Sequence, residues 1–213
     1  MCDLARVDLF GNAQTASDGS GKVNLEACAL AAQNTEDTMA SPISTISPKD
    51  LRERVASLQA MAVLDTPPEE GFDALARLAA MVCETPVAVV SLIDGDRLWF
   101  KSVHGIGTRT MASSNSFCSE AANSKRLLEV PDPRIDPRFA EHALVMGELG
   151  IRYHAGAPIM HNGVGIGTVC VLDYVPRRME KRALESLSEM AGIAAAMLKA
   201  RVEAFGMFSN THS

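Results

Sequence analysis

Residues Ile151–Asp173 read IRYHAGAPIMHNGVGIGTVCVLD, and their pattern decides the fold. The triplet His161-Asn162-Gly163 interrupts two runs of apolar and β-branched residues, and Asn-Gly supplies the positive-φ residues that a tight hairpin requires. The second run, Val164 to Leu172, is apolar at nearly every position, as a strand is when both of its faces are covered. It is therefore expected to be a central strand. Gly156 and Pro158 fall in the first run, where proline keeps to edges and bulges, so a bulge is expected there. Gly165 and Gly167 form a G-x-G with no helix behind it to bind phosphate, and are read as points where residues of the lid approach the strand closely.

Working outward, Val87 to Ile93 is a second continuous apolar run that ends in Asp94-Gly95-Asp96, which marks a buried strand and a tight turn. Arg97 to Val103 is its expected hairpin partner, with Leu98 and Phe100 on one face and Trp99, Lys101 and Val103 on the other. Ahead of these strands, Ser47-Pro48-Lys49-Asp50 carries the signals of a helix start, and Leu51, Val55, Leu58 and Ala62 recur on one face. Thr66-Pro67-Pro68-Glu69 repeats them for a second helix with Phe72, Leu75, Ala76, Ala79 and Val82 inward. A long helix is expected from about Met179 to Phe205. Its stripe through Leu184, Leu187, Ala191, Ala194, Leu198, Val202 and Phe205 is widened by Met190, Ile193 and Met197 beyond what one sheet needs. A second copy of the chain would cover that excess.

Between the hairpins, His104 to Leu149 is rich in Gly, Ser and Pro, with a short strand at Leu127 to Val130 and a helical turn at Asp136-Pro137. A loop-rich span of this length inside a compact domain is usually functional. The walls of any pocket should come from it.

The totals set outer bounds. With 47% hydrophobic and 22% charged residues, the chain can bury a sizeable core. Residues 1–48 hold two basic and six acidic residues, a net of −4 that leaves −2 of the total −6 for the remainder. Neither part offers a basic surface for nucleic acid or an anionic membrane. No apolar run approaches the roughly 20 residues of a membrane span, and no signal peptide opens the chain, so a cytoplasmic location is expected. Residues 1–46, poor in aromatics, are expected to form a disordered tail apart from a short helix at Leu25 to Ala32. The ordered domain is expected over 47–205, with a C-terminal tail at 206–213. Five widely spaced cysteines, with no C-x-x-C pair and no Cys/His cluster at zinc spacing, argue for free thiols and against a metal site.

Several motifs stand in one order. Leu64-Asp65-Thr66-Pro67-Pro68-Glu69-Glu70 is followed by Asp94-Gly95-Asp96-Arg97-Leu98-Trp99-Phe100-Lys101-Ser102, Ser116-Phe117-Cys118, Val130-Pro131-Asp132 and Asp136-Pro137-Arg138-Phe139. Tyr153-His154-Ala155-Gly156-Ala157-Pro158 and Gly167-Thr168-Val169-Cys170-Val171-Leu172-Asp173 complete the series. Together these resemble the signature of bacterial GAF domains, small-molecule sensor modules, over about Leu51 to Arg201. The resemblance implies an α+β fold: a central antiparallel sheet of five to six strands, terminal helices on one face that often form a parallel dimer bundle, and loops and short helices over the other face enclosing a ligand. Two positions depart from the family. Glu120 stands where a His is common after Ser-Phe-Cys, and His154 interrupts the usual FYAG. No output domain follows Arg201, so a separate effector, a kinase or a cyclase, is expected to read the module.

Candidate ligand-binding residues are Trp99, Phe117, Cys118, Glu120, Arg138, Phe139, Arg152, Tyr153 and His154. Cys118 is either a buried small hydrophobe or a thiol activated near a helix N-terminus. Arg138 and Arg152 either meet an anionic ligand or pair with an internal acid. His154, on an apolar strand, needs a partner from a carboxylate or a ligand. Cys83 and Cys170 read as core, no catalytic constellation is evident, and no cofactor is specified. The leading expectation is a non-catalytic, dimeric sensor. A ligand-free scaffold and a thiol enzyme resembling the methionine sulfoxide reductases are its competitors.

Overall fold

A computed structural model of the chain describes residues 44–209 except Asn115, with side chains to Glu203. The expected tail over 1–46 lies almost wholly outside the described residues, as do Cys2 and Cys28. The described residues begin at Ser44. Ser44 donates from its backbone N–H and its hydroxyl to the Glu120 carboxylate, and its carbonyl accepts from Asn123.

The elements are α1 (Pro48–Met61), α2 (Glu70–Val82), β1 (Val87–Asp94), β2 (Arg97–His104), β3 (Thr110–Ala112), α3 (Phe117–Ser124), β4 (Leu128–Val130), α4 (Ala143–Met146), β5 (Tyr153–His161), β6 (Val164–Asp173) and α5 (Lys181–Ser209). The strands form one antiparallel sheet in the order β3-β2-β1-β6-β5-β4. All ten residues of β6 are buried, in keeping with its apolar run. Helices α1, α2 and α5 cover one face through a core that includes Leu58, Phe72, Val90, Val169, Ala194 and Leu198. The opposite face, with Val89, Phe100 and Leu172, lies under α3 and the loops.

Local chemistry explains most boundaries. Ser47 accepts from Asp50 N at 3.0 Å, so α1 starts where the Ser-Pro signal places it. Thr66 does not start α2. Its hydroxyl turns back to the Val63 carbonyl at 2.6 Å, and the helix opens at Glu70. The inward face of α1 is also rotated: Arg54, Leu58 and Met61 are buried, whereas Leu51 is exposed. Asn162 and Gly163 have φ of 48° and 78°, the pair that a type I′ hairpin needs. Pro158 sits beyond the last residue of β5 that β4 reaches, Gly156, so its missing N–H interrupts no ladder there. The irregularity of the strand falls just after it, between Ile159 and Met160.

A bulge in the β1–β2 ladder corrects the expected alternation in β2. Val90 pairs with Ser102 and Ser91 with Phe100, which leaves Lys101 unmatched. Lys101 and Ser102 therefore both reach the helical side, and Val103 packs with Phe100 on the other. The Lys101 ammonium is fully buried, donates to Glu69, to the Thr66 hydroxyl at 2.7 Å and to the Pro67 carbonyl at 2.9 Å, and lies 5.6 Å from the Phe72 ring centroid. Burial raises the Glu69 pKa, but Lys101 and Arg201 outweigh it and hold the carboxyl below its ordinary value.

The excess apolar arc of α5 is largely absorbed within the chain. Met190 is 4% exposed, and the Met197 methyl lies where a Cβ on Gly71 would stand, 2.6 Å away. Ile193 is the residue of the three that remains exposed, at 49%. The covering layer is α1 and α2, so the width of the stripe does not itself require a second subunit.

Replacing Lys101 by Ala should cost about 2 kcal/mol in urea unfolding, less than the roughly 3–5 kcal/mol for a fully buried pair because Glu69 stays partly solvated and keeps Arg201. The Glu69 pKa is depressed, so its share of the stability is present above about pH 4.5 and is lost as pH falls through the folded-state value. An unchanged unfolding midpoint at neutral pH would show that Lys101 is balanced by its own desolvation.

Candidate functional site

The site lies on the sheet face opposite the terminal helices. Val87, Val89, Leu98, Phe100, Cys170 and Leu172 form its floor, Ile106, Thr108, Leu144 and Leu149 its roof, and Phe117, Cys118 and His154 one end. They enclose a cavity of about 50 Å³. Small-molecule pockets usually measure about 300–1,000 Å³, so there is room here for a few heavy atoms and not for a nucleotide or a tetrapyrrole. No carboxylate, ammonium or guanidinium lines it among the described residues.

The end wall is built by a serine-rich turn. Ser116 caps α3 by accepting from Ser119 N at 3.1 Å, and the hydroxyls of Ser116 and Ser119 both donate to the Ser113 carbonyl. This starts the helix at Phe117 and places Cys118 in its first turn. The far end of α3 lies flush on β6. A Cβ on Gly165 would be 2.2 Å from the Ala122 carbonyl oxygen, so here the expected close approach is found. Gly167 serves differently, admitting the Ser91 carbonyl of neighbouring β1.

Cys118 and Cys170 come together with their sulfurs 3.7 Å apart, and a ring nitrogen of His154 joins them so that all three donor atoms lie within 4.8 Å of one another. The exposures are 8%, 1% and 0%. The Cys170 thiol, helped by the neighbouring His154 ring and Thr168, holds Cys118 well below the ordinary thiol range against the effect of burial, while Cys118 and burial push Cys170 well above it. Neither nitrogen of His154 has a hydrogen-bond partner among the described residues. An unsatisfied buried polar group costs about 1–3 kcal/mol, so it asks for an explanation. Its ring is held from both sides: Phe117 stacks on it at 4.7 Å, and Gly156 leaves the space it occupies.

The separation of cysteines in sequence gave no hint of this cluster. Cys118 is on α3, His154 on β5 and Cys170 on β6, and the usual hairpin count even places His154 and Cys170 on opposite faces. Carrying the register His161↔Val164 along the ladder unbroken would pair Ala155 with Cys170. The observed pair is Gly156↔Cys170, because Ile166 is bulged out between Gly165 and Gly167. A one-residue slip exchanges faces, and it brings His154 alongside the sulfur.

The other candidates are dispersed. Phe139 packs behind Phe117 at 4.3 Å, in a small cluster with Val130 and Val145. Arg138 lies over Phe139, binds both carboxylate oxygens of Asp136 and stands 3.6 Å from Glu120. It is an internal ion pair with Asp136. Asp136 raises the Arg138 pKa against the effect of burial. Arg152 donates to the Val145 and Ile151 carbonyls and so braces the roof without entering the cavity. Trp99 and Tyr153 lie on the helical face, where alternation along β2 and β5 sends them, and the Tyr153 hydroxyl donates to Glu129. Of the nine candidates, the cavity is lined by Phe117, Cys118 and His154. The roof residues Ile106, Leu144 and Leu149 carry no chemical signature that would single them out in a sequence.

The GAF domain model matches residues 67–198. The chain belongs to the GAF domain family. A curated relative, cyclic di-GMP phosphodiesterase PA2567 of Pseudomonas aeruginosa, is 35% identical over 131 residues, which is 61% of this chain and 22% of the relative. The chain thus spans about a fifth of that protein. The PixJ GAF domain of Thermosynechococcus elongatus superposes with a TM-score of 0.56 at 13% identity, over 79% of this chain and 98% of that one. The free methionine-R-sulfoxide reductase of Neisseria meningitidis, solved with its substrate, gives 0.54 at 17% identity over 78% and 99%. These likenesses establish the six-stranded GAF fold and carry no ligand across.

Adding a methyl at Gly156 should displace the imidazole, because the new Cβ would be 2.8 Å from His154 Cε1 and 3.2 Å from the Cys170 Cβ. Gly156→Ala should therefore lose about 1–3 kcal/mol in urea unfolding, as overpacked cores do. Wild-type stability would mean that the ring moves away freely.

Proposed function

We propose that this GAF domain is a non-catalytic sensor module in the cytoplasm. It binds a small molecule of few heavy atoms beneath the loops and relays that state through its terminal helices, as a homodimer, to a separate effector such as a kinase or cyclase. The observation that carries the reading is the apolar cavity with, in its wall, a buried imidazole that has no hydrogen-bond partner among the described residues. Apolar walls with few polar groups are the usual composition of a ligand site.

A physical route from cavity to helices supports the relay. Helix α3 presents Phe117 and Cys118 to the cavity, and its other end is tied to α1. Arg54 of α1 donates to Asn123 at 2.7 Å and to the Gly165 carbonyl at 2.6 Å, and Lys125 pairs with Asp50 at 3.0 Å. Arg54 is 2% exposed, and burial brings its pKa down to about 10. A shift of α3 on ligand binding would thus be felt by α1. The homologous relation to a cyclic di-GMP phosphodiesterase suggests that an enzyme of cyclic-nucleotide signalling could be the effector. The scaffold reading draws on Phe117 and Phe139, which fill much of the space beneath the loops. A thiol enzyme would have the Cys118–Cys170 pair, but a polar substrate would find no charged side chain in the cavity.

A thermal-shift screen of small thiols, amines, volatile apolar compounds and short acids should find a stabilising compound. At a hundredfold excess over Kd it would add about 2.7 kcal/mol. His154→Ala and Val89→Phe, the first removing the polar group and the second filling the space, should abolish the shift. Stabilisation that survives Val89→Phe would move the ligand elsewhere, and none from any compound would favour the scaffold.

Association is tested best at the exposed position of α5. Ile193→Glu should convert a dimer to a folded monomer by light scattering, whereas Met190→Glu would place a charge in the core. A wild-type chain that is already monomeric removes the dimer from the proposal.

A further inference from the structure

We propose that Cys118, His154 and Cys170 form a binding site for a single thiophilic divalent cation, of which zinc is the type, with a fourth coordination position open to the cavity. The donor set is two sulfurs and an imidazole nitrogen, the ligands that zinc prefers. The spacing suits it. Two thiolates each about 2.3 Å from a tetrahedral ion lie about 3.8 Å apart, and the sulfurs stand at 3.7 Å. A disulfide would require them to close to about 2.0 Å.

His154 gives the independent pointer to a ligand. It is fully buried, neither of its nitrogens has a hydrogen-bond partner among the described residues, and a metal bond would satisfy one of them. Phe117 on one side and the bare Cα of Gly156 on the other fix the ring against the sulfurs. The three donors are mounted on two adjacent, buried strands and a capped helix, which is the rigid support that a metal site needs.

Charge balance selects the ion. Two thiolates and a dication sum to zero, so the loaded centre can sit in an apolar interior without an uncompensated charge. A monovalent copper ion would leave one negative charge, and no cationic side chain lines the cavity among the described residues to meet it. On binding, each thiol gives its proton to solvent and forms one metal–sulfur bond, so no redox reagent is involved. Three protein donors are one fewer than a closed structural site provides, and the remaining position faces the cavity. A water, thiol or small anion could take it. This deepens the sensor reading, since it gives the small ligand a bond to make, but the cation itself can bind whether or not that reading holds.

The test uses the full chain carrying Cys2→Ser and Cys28→Ser, reduced, freed of metal with a chelator and titrated anaerobically with Co²⁺. The expected result is saturation at a single equivalent, with thiolate-to-cobalt charge-transfer absorbance and the intense visible bands of tetrahedral cobalt, both erased by Zn²⁺. Cys170→Val, chosen because valine suits a buried strand, and His154→Ala should each weaken binding by more than about 100-fold, the upper end of what outer-shell changes cost. Gly156→Ala, which removes no donor, should weaken it by about 10- to 100-fold through the displaced imidazole. A folded chain that shows no charge-transfer band, one that shows only the weak absorbance of octahedral cobalt, or one whose band survives Cys170→Val would overturn the site. Failure here with a ligand-induced thermal shift intact would leave the sensor standing without its metal. Cobalt binding with no shift from any compound would do the reverse.

Discussion

The interrupted ladder between β5 and β6 is the constraint on which the rest of this structure depends. From the hairpin at Asn162-Gly163 the two strands begin in one register and finish in another, with Ile166 pushed out between two glycines. Glycine on both sides makes the slip feasible, because the bulge brings the Ser91 carbonyl to within 2.0 Å of where a Cβ on Gly167 would be, and Gly165 lies equally close to α3. Beyond the slip, Tyr153, Ala155 and Ala157 face the helices, while His154 and Gly156 face the cavity beside Cys170. Without it the two faces of β5 would be exchanged, with a histidine in the helical core and a tyrosine beneath the loops.

The bulge in β2 works to a related end on the opposite face. It places a lysine where alternation alone would already put one but adds the next residue, Ser102, to the same side, where its hydroxyl donates to Asp73 of α2 at 2.6 Å. The helical layer is thereby fastened to the sheet by polar bonds as well as by apolar contact, at Lys101, Ser102 and, through Glu69, Arg201 of α5. The cavity face has no such side-chain fastening beneath its roof among the described residues. Its covering is held by the Ser113–Ser119 turn, by Arg152 and by the Phe100 N–H donating to the Arg109 carbonyl, and between them is apolar except at Thr108. Local opening is easiest where few buried contacts must be broken, so under the proposed function this is the face at which a ligand would enter.

The fold was legible in the sequence because its signals are local. Asn-Gly, the unbroken apolar run of β6 and the Ser-Pro start of α1 each report on neighbouring residues, and the order of motifs assigned them to a known architecture. The Gly165 contact was legible for the same reason. The Thr66 and Leu51 expectations failed where tertiary partners outbid local preference: Lys101 claims the Thr66 hydroxyl, and Arg54 takes the inward position on α1 because Asn123 and the Gly165 carbonyl are there to receive it. The site was legible only in part. Phe117, Cys118 and His154 were found as unusual residues in suggestive places, but Cys170 reads as an ordinary strand residue until the register slip is known. Arg138 and Glu120, chosen for their charge, satisfy Asp136 and Ser44 instead.

That division follows from what each kind of group requires. A charged side chain inside a domain must find its counter-charge or its donors within the fold, and here Glu120, Arg138 and Arg54 have each done so, which removes them from the cavity and makes them part of its frame. An imidazole can be buried neutral at smaller cost, and a thiol at almost none, so these groups can be left facing an apolar space without unfolding the domain. The side chains left facing the cavity are therefore those whose solitude costs less than an unpaired charge would, and Cys118, His154 and Cys170 are gathered at its wall. Its small volume then sets the scale of what can reach them. A compound large enough to bring its own charges and their hydration would have to lift the roof, whereas an atom or a few atoms able to bond sulfur and nitrogen can be accommodated with the covering closed.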